Sequence, residues 1–280
     1  LVEPLGREEV LRALAEDAAA DDVTTRLLGA GARRPACAQF VAEGRFVLAG
    51  LPVVSRVFCE LDHETRVEAL HGEGEWVDQG TVLARVRATA GSLLAGERVA
   101  LNFLQRLSGV ATLTRRAVDA VAGTGARITH TRKTTPGLRA LERYAVTVGG
   151  GVENRASLAD AVLWKDNHWA LLGTGDLGAA LTSAPSGASI VVEVENAEQL
   201  ERALAAGVRH ILVDNQPADR LAAWLRRAGR GITVQASGGI TPERARAFAE
   251  AGAQLIAIGA LTHSAPAAPI RCDIAGDQPD

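Results

Sequence analysis

Lys133 and Lys165 are the only two lysines among the 30 cationic side chains of this 280-residue sequence; all the others are arginine. Each follows a short apolar run and sits among polar residues, Thr131-Arg132-Lys133-Thr134-Thr135 and Lys165-Asp166-Asn167-His168. Where positive charge is otherwise written as guanidinium, a retained ammonium suits a task for a compact point charge, such as meeting a phosphate. Polar groups recur at the ends of later apolar runs: Glu193 and Glu195, Asp214-Asn215, Ser237-Gly238-Gly239 and Gly259-Ala260. Ser237-Gly238-Gly239 and Gly259-Ala260 suit a phosphate bound by backbone N–H groups, because glycine allows close approach. Glu195 and Asp214 are placed to hold Mg²⁺ through oxygen and water, or else to pair with the lysines. Arg132, Arg139 and Arg155 add cations. Gly149-Gly150-Gly151 either forms a flexible loop or turns the chain so that Asn154 and Arg155 point inward. Phosphate loops, a metal pair and several cations together describe a phosphorylated sugar donor and an anionic acceptor.

The elements that must position these groups follow from the spacing of apolar runs. Runs at 126–129, 161–164, 190–194, 210–213, 232–235 and 255–258 are separated mostly by helical segments. Asn196-x-x-Gln199 reads as a capping box whose helix closes at Gly207. Thr241-Pro242 reads as an N-cap with proline in the first turn, and Gly252 ends that helix. Apolar strands alternating with helices imply a parallel sheet, and right-handed crossovers favour a (β/α) barrel. The clean strands are too few for eight, so the fold expected is α/β with an incomplete barrel. In such a barrel the site lies at the C-terminal strand ends, where the polar groups fall.

Earlier in the chain, a helix is expected over 7–20, then a polar turn over 21–25. Between 36 and 86, short strands alternate with a helix over 51–61, and Gly72, Gly74 and Gly80 mark corners, which reads as a small α/β sheet domain, a sandwich by the resemblance described below. A long helix spans 92–121, with Gly109 as a point of interruption. The expected division is residues 1–110 for the sandwich, with the tail 266–280 returning to it, and 111–265 for the barrel. Net charge is −3 and hydrophobic content 47%, so no basic field points to nucleic acid and a sizeable core is available. No apolar run approaches the roughly 20 residues of a membrane span, and no signal segment is evident. Cys37, Cys59 and Cys272 are odd in number, lack metal spacing and read as buried free thiols, from which a cytoplasmic location is expected as the default.

On these residues the sequence resembles the quinolinate phosphoribosyltransferase, or carboxylating nicotinate-nucleotide pyrophosphorylase, family. The matching segments are Glu16-Asp17 to Thr25, Glu97 to Asn102 with Ser108-Gly109, Thr131 to Arg139, the triple glycine and Lys165 to His168. They continue through Glu193-Val194-Glu195, Asp214-Asn215, Ser237 to Thr241 and Gly259 to Thr262, in family order over nearly the whole chain. The resemblance implies a pentosyltransferase that joins a pyridine-2,3-dicarboxylate to phosphoribosyl pyrophosphate with Mg²⁺. It would release pyrophosphate and CO₂ and leave nicotinate mononucleotide, a step of NAD biosynthesis. It implies a homodimer or larger assembly in which Arg98 reaches the neighbouring subunit's site. Arg132, Lys133, Arg155 and Lys165 would form the cationic pocket, Lys133, Lys165, Glu195 and Asp214 would be catalytic, and the glycine loops would take the 5′-phosphate.

The sequence departs from the family pattern at His130, where aspartate is usual, at Thr147 for arginine, and at Glu153-Asn154 for Asn-His. Trp164 and Trp169 stand where smaller aliphatics are usual. These changes are expected in the acceptor pocket, with His130 and Asn154 touching substrate. Three readings stay open: transfer to quinolinate, the same donor chemistry on another pyridine or heteroaromatic carboxylate, and a non-catalytic homologue that binds phosphorylated metabolites. The intact Lys133, Lys165, Glu195 and Asp214 argue against the third.

Overall fold

The computed structural model describes residues 5–276, and its chain divides into two compact units. The first comprises the described parts of Leu1–Leu113, Thr135–Gly149 and Ala265–Asp280; the second comprises Thr114–Thr134 and Gly150–Ser264. The helix Arg139–Val148 thus clusters with the first unit, although the strands before and after it in sequence belong to the second.

In the first unit, α1 (Arg7–Glu16) stops short of the expected residue 20, because Ala18 takes a left-handed φ of 51°. Asp22 then caps α2 (Val23–Arg26): one carboxylate oxygen accepts the Thr24 and Thr25 N–H groups at 2.9 and 3.0 Å. There follow β1 (Pro35–Ala42), β2 (Phe46–Val47), α3 (Leu51–Leu61), β3 (Arg66–Ala69), β4 (Trp76–Val77) and β5 (Val82–Thr89). The sheet runs in the order C-terminal strand Ile270–Gly276, β1, β5, β3. The C-terminal strand pairs antiparallel with β1 from Ala42↔Ile270 to Ala36↔Gly276. Val53, Val54, Val57 and Phe58 of α3 are fully buried, and Phe58 meets Phe40 of β1 edge-on at 6.1 Å. Each such side chain contributes roughly 1.5–3 kcal/mol.

The long helix α4 (Ala90–Ala120) runs straight through Gly109, against expectation. A Cβ at Gly109 would lie 2.0 Å from the Pro266 carbonyl oxygen, so this glycine serves close approach of the returning chain rather than a break. The three cysteines are free and half-buried rather than fully buried. Among the described residues no helix is long and apolar enough to cross a membrane.

The second unit begins at the end of α4 and continues with β6 (Arg127–Thr129); the chain then forms α5 (Arg139–Val148) in the first unit. It returns for β7 (Ala161–Trp164), α6 (Asp166–Leu172), α7 (Leu177–Leu181), β8 (Ser189–Val194), α8 (Ala197–Ala205) and β9 (His210–Asp214). Then come α9 (Ala218–Ala228), β10 (Thr233–Ser237), α10 (Pro242–Glu250), β11 (Leu255–Ala257) and α11 (Ala260–His263). All six strands are parallel, in the order β6-β11-β10-β9-β8-β7. β6 and β7 do not pair with each other; instead Val152 makes a single parallel bridge to Thr129, its N–H donating to the Ile128 carbonyl at 2.8 Å. The barrel is therefore incomplete, with the segment after the triple glycine standing where a strand is missing.

Helix starts fix where the strand ends face. Asn196 Oδ1 accepts the Gln199 N–H at 2.9 Å, while Gln199 Oε1 accepts the Glu195 N–H at 2.7 Å, one residue earlier than in a capping box. That pairing holds the backbone of Glu195 at the mouth of the barrel. Pro242 opens α10 after Thr241, which makes no side-chain cap to the backbone.

Candidate active site

Side chains alternate across a strand, so every second residue of each barrel strand faces inward. On β8 these are Ser189, Val191 and Glu193; on β9 His210, Leu212 and Asp214; on β10 Gln235 and Ser237. With Thr129, Leu163, Ala257 and others they line one cavity of ≈ 680 Å³, reached by all six strands and by residues 153–155. That size lies within the range of small-molecule pockets.

One wall of the cavity is cationic. Arg132 and Lys133 follow β6, Arg155 lies in the bridging segment, and Lys165 follows β7. Arg155 donates to the Ala161 carbonyl at 3.3 Å. Burial, and then the Arg132 guanidinium, hold the Arg155 pKa below its ordinary value, with Asp160 and Glu193 opposing. Arg132 Nε is buried without a hydrogen-bond partner. Two guanidiniums this close, one with an unpaired buried donor, are arranged for a bound anion. Lys133 is exposed, and its backbone is fixed at both ends: its N–H donates to Thr131 Oγ1 at 3.1 Å and its carbonyl accepts from Thr262 Oγ1 at 2.8 Å. The Lys165 ammonium is 43% exposed and 3.8 Å from Asp166, a loose pair that leaves it available.

The other charge is acidic. Glu193, Glu195 and Asp214 each place a carboxylate oxygen within 4.8 Å of the others. Burial, and then the Asp214 charge, push the Glu193 carboxyl up to about 7. Oxygens in an octahedron about 2.1 Å from Mg²⁺ lie roughly 3–4 Å apart, so a small closure of this trio fits such an ion. The crowding of three carboxylates, expressed in the raised Glu193 pKa, is what a divalent cation would relieve. Glu193 stood out in the sequence only as a strand end, and its place beside Glu195 and Asp214 was missed; its same-face spacing with Glu195, two residues apart, was the usable signal.

The glycine loops are shaped by close contact. Gly238 and Gly239 have φ of 91° and 57°, and a Cβ on Gly238 would lie 2.3 Å from Asn215 Oδ1. Asn215, itself left-handed at φ 50°, donates its N–H to the Ser237 carbonyl at 3.1 Å. The ends of β9 and β10 are thus interlocked, and only glycine fits. A Cβ on Gly259 would lie 3.1 Å from His263 Nε2 and 3.3 Å from Lys133 Cδ, which brings Lys133, Gly259, Ala260 and His263 to one corner.

Several expected site residues lie elsewhere. His130 is 1% exposed and does not line the cavity. Thr129 and Thr131 face inward, so the residue between them must face away. His130 Nε2 lies 3.1 Å from the Asn154 N–H and 3.2 Å from the Glu153 carboxylate, and its buried Nδ1 has no partner among the described residues. Asn154 lines the cavity but is used internally: its amide donates to the His130 carbonyl at 3.0 Å and its oxygen accepts the Arg155 N–H at 2.8 Å. It fastens the bridging segment to β6 and so sets Arg155. Trp164 lies between the inward-facing Leu163 and Lys165 and faces outward; it meets Trp169 edge-on at 6.1 Å. Trp169 donates to the Glu193 carbonyl at 2.8 Å, so this pair braces a strand end from outside the cavity. Thr147 is an exposed residue of α5 and does not line the cavity either. Arg98 is a 60% exposed residue of α4 in the first unit, 3.9 Å from Glu97.

Comparison with known proteins follows the same two-part division. Residues 22–108 match the N-terminal domain model of quinolinate phosphoribosyl transferase, and residues 110–273 match the C-terminal domain model. The chain is 40% identical over 239 residues to a probable carboxylating nicotinate-nucleotide pyrophosphorylase of Bacillus subtilis, covering 85% of this chain and 83% of that protein. It is 40% identical over 265 residues to the carboxylating nicotinate-nucleotide pyrophosphorylase of Mycobacterium leprae, covering 92% and 93%. Among solved structures, NadC from Streptococcus pyogenes superposes with a TM-score of 0.92 at 33% identity, covering 99% of both chains.

Proposed function

The chain belongs to the quinolinate phosphoribosyl transferase family, and we propose that it transfers a phosphoribosyl group to a pyridine-2,3-dicarboxylate with loss of CO₂. Quinolinate and phosphoribosyl pyrophosphate are the substrates; nicotinate mononucleotide, pyrophosphate and CO₂ are the products. One observation carries the reading: a single cavity holds four cations, Arg132, Lys133, Arg155 and Lys165, facing the acids Glu193 and Asp214.

The chemistry divides between the two groups. Arg132 and Arg155 bind the acceptor's carboxylates and hold its ring nitrogen toward the sugar. Burying a dianion demands several positive partners, and these two are already crowded in its absence. Lys133 and Lys165 face the negative charge that grows on pyrophosphate as its bond to the anomeric carbon breaks. Glu195 and Asp214 favour the cationic, oxocarbenium-like sugar that results. Glu193, Glu195 and Asp214 would hold Mg²⁺, which when bound neutralises pyrophosphate and fixes the ribose. The ring nitrogen then bonds to the anomeric carbon and becomes a pyridinium. The adjacent carboxylate leaves as CO₂, its bonding pair stays on the ring carbon stabilised by that pyridinium, and a proton from solvent completes the product. Ser237, Gly238, Gly239, Gly259 and Ala260 would receive the 5′-phosphate on backbone N–H groups, with the aliphatic stem of Lys133 packed beside Gly259.

Arg98 completes the site of a neighbouring copy in a homodimer, which fits its exposure in the first unit. Two inactive variants, Arg98→Ala and Lys165→Ala, should restore up to about a quarter of wild-type activity when mixed and allowed to exchange, because half the dimers then carry one intact site. No recovery from exchanged dimers would remove the shared site. The activity itself is tested by incubating the protein with phosphoribosyl pyrophosphate, Mg²⁺ and quinolinate and following nicotinate mononucleotide by chromatography. Its formation is the expected result; binding of both substrates without turnover would favour the non-catalytic reading.

A further inference from the structure

The cavity holds a polar pair that the transfer chemistry above leaves unused. His210 opens β9 and Gln235 lies in the middle of β10, and both face inward. Gln235 is 3% exposed, and its Oε1 lies 3.1 Å from His210 Nε2. An amide oxygen accepts, so the imidazole carries its proton on Nε2 and presents Nδ1 as a lone pair. Gln235 Nε2 and His210 Nδ1 have no hydrogen-bond partner among the described residues. Barrel interiors are ordinarily filled by bulky apolar side chains, whereas here a donor and an acceptor open onto the cavity side by side. A ligand group that both donates and accepts would pair with the two at once.

The strand order places the pair. Residues 152–155 stand between β6 and β7, and β9 and β10 are the strands furthest from them in either direction around the cavity. The segment carrying Arg155 and the His210–Gln235 pair therefore lie on opposite sides of the cavity, and Arg155, which donates to the carbonyl of Ala161 at the start of β7, reaches its deep end. His210 precedes Asp214 by four residues on the same strand face, about 13 Å deeper at roughly 3.3 Å per residue. Phosphates do not suit this depth: burial holds His210 below its ordinary pKa, so the pair brings no positive charge. A flat ring held by its carboxylates on the arginine wall would point its far edge at the pair.

We propose that His210 and Gln235 read a hydroxyl group on the acceptor ring, on the edge away from the carboxylates. The hydroxyl oxygen accepts from Gln235 Nε2, and its hydrogen is donated to His210 Nδ1. Unsubstituted quinolinate offers only C–H groups there. The inference rests on the transferase reading above and narrows its acceptor to a ring-hydroxylated pyridine-2,3-dicarboxylate.

The test compares kcat/KM for quinolinate and for each of its ring-hydroxylated analogues, with phosphoribosyl pyrophosphate and Mg²⁺, following pyrophosphate. One hydroxylated acceptor should be preferred by at least about tenfold, or about 1.4 kcal/mol. In Gln235→Leu and His210→Leu the preference should fall to within about twofold, mainly through KM. Gln235→Glu keeps the shape but replaces the donor by an acceptor, and decides the matter if a leucine variant does not fold; it too should lose the preference. Equal use of quinolinate, or a preference that survives these changes, overturns this inference while pyrophosphate release keeps the transferase reading. No pyrophosphate with any of the acceptors overturns the transferase reading, and this inference with it.

Discussion

Two acids, one in each unit, show opposite ways of burying charge. In the first unit Glu142 is 0% exposed and fully answered: Arg106 donates from Nε and Nη2 at 3.0 and 2.7 Å, and Thr135 donates from its N–H and Oγ1 at 3.0 and 2.7 Å. In the second unit Glu193 is pressed toward Asp214, and burial with that like charge pushes it up to about 7. Around it Arg132 Nε and the Gln235 amide nitrogen lack partners among the described residues. Satisfied buried charge fixes a fold; crowded and unpaired charge is what a binding site retains for its ligand. The difference separates structural from functional polar groups without reference to any relative.

The comparison breaks most visibly at Glu142. Glu142→Ala leaves Arg106 without its buried partner and should cost about 3–5 kcal/mol. That is on the order of 10 °C in Tm for a chain of this size, read by thermal melting. A shift of only a degree or two would mean the pair is decorative. Lys165→Ala should do the reverse, lowering kcat/KM by about 10²–10³-fold with Tm nearly unchanged; unchanged kinetics would strip that lysine of its assigned role.

A smaller effect tests the crowding itself. The folded Glu193 carboxyl titrates near 7, above its ordinary 4.5, so the unfolded chain releases this proton first as pH rises. Stability contributed by the protonated form is complete below about 4.5 and is lost as pH climbs through about 7. Metal-free protein should therefore lose Tm between pH 5 and 8, and Glu193→Gln should flatten that slope. Mg²⁺ should raise Tm more at pH 8 than at pH 5, since it competes with the proton. A slope identical in wild type and Glu193→Gln would place the titration elsewhere. The smallest effect is at the barrel rim, where Asn196→Ala removes the α8 cap and should cost about 1 kcal/mol in denaturant melts.

Much of this was legible in the sequence, and most of what was not turns on which face of a strand a residue occupies. The strand positions, the helix over 51–61 and the glycine loops follow from local pattern and strand-end logic; the grouping of Arg132, Lys133, Arg155 and Lys165 comes from the family resemblance, and Arg139, which local pattern adds to it, does not line the cavity. His130 and Trp164 each stand beside a motif that lines the cavity yet lie off it, and Thr147 lies on the exposed side of α5. On a strand the neighbour of an inward residue faces outward, so His130 supports the bridging segment and Trp164 packs outside. His210 and Gln235 carry no local signal: they lie four and two residues back from the strand ends Asp214 and Ser237, on the same face, while Glu193 is legible as a strand end but its grouping with Glu195 and Asp214 needs the strand order. Gly109 misled because a glycine in a helix signals either a break or a close approach, and only the returning Pro266 distinguishes them.

The central claim is that one cavity couples phosphoribosyl transfer to decarboxylation, and the most direct measurement is stoichiometric. With Mg²⁺, phosphoribosyl pyrophosphate and quinolinate labelled in its 2-carboxyl group, labelled CO₂ and pyrophosphate should appear one for one in wild type and vanish together in Lys165→Ala. Pyrophosphate without CO₂, or neither product from folded wild-type protein, would contradict the account.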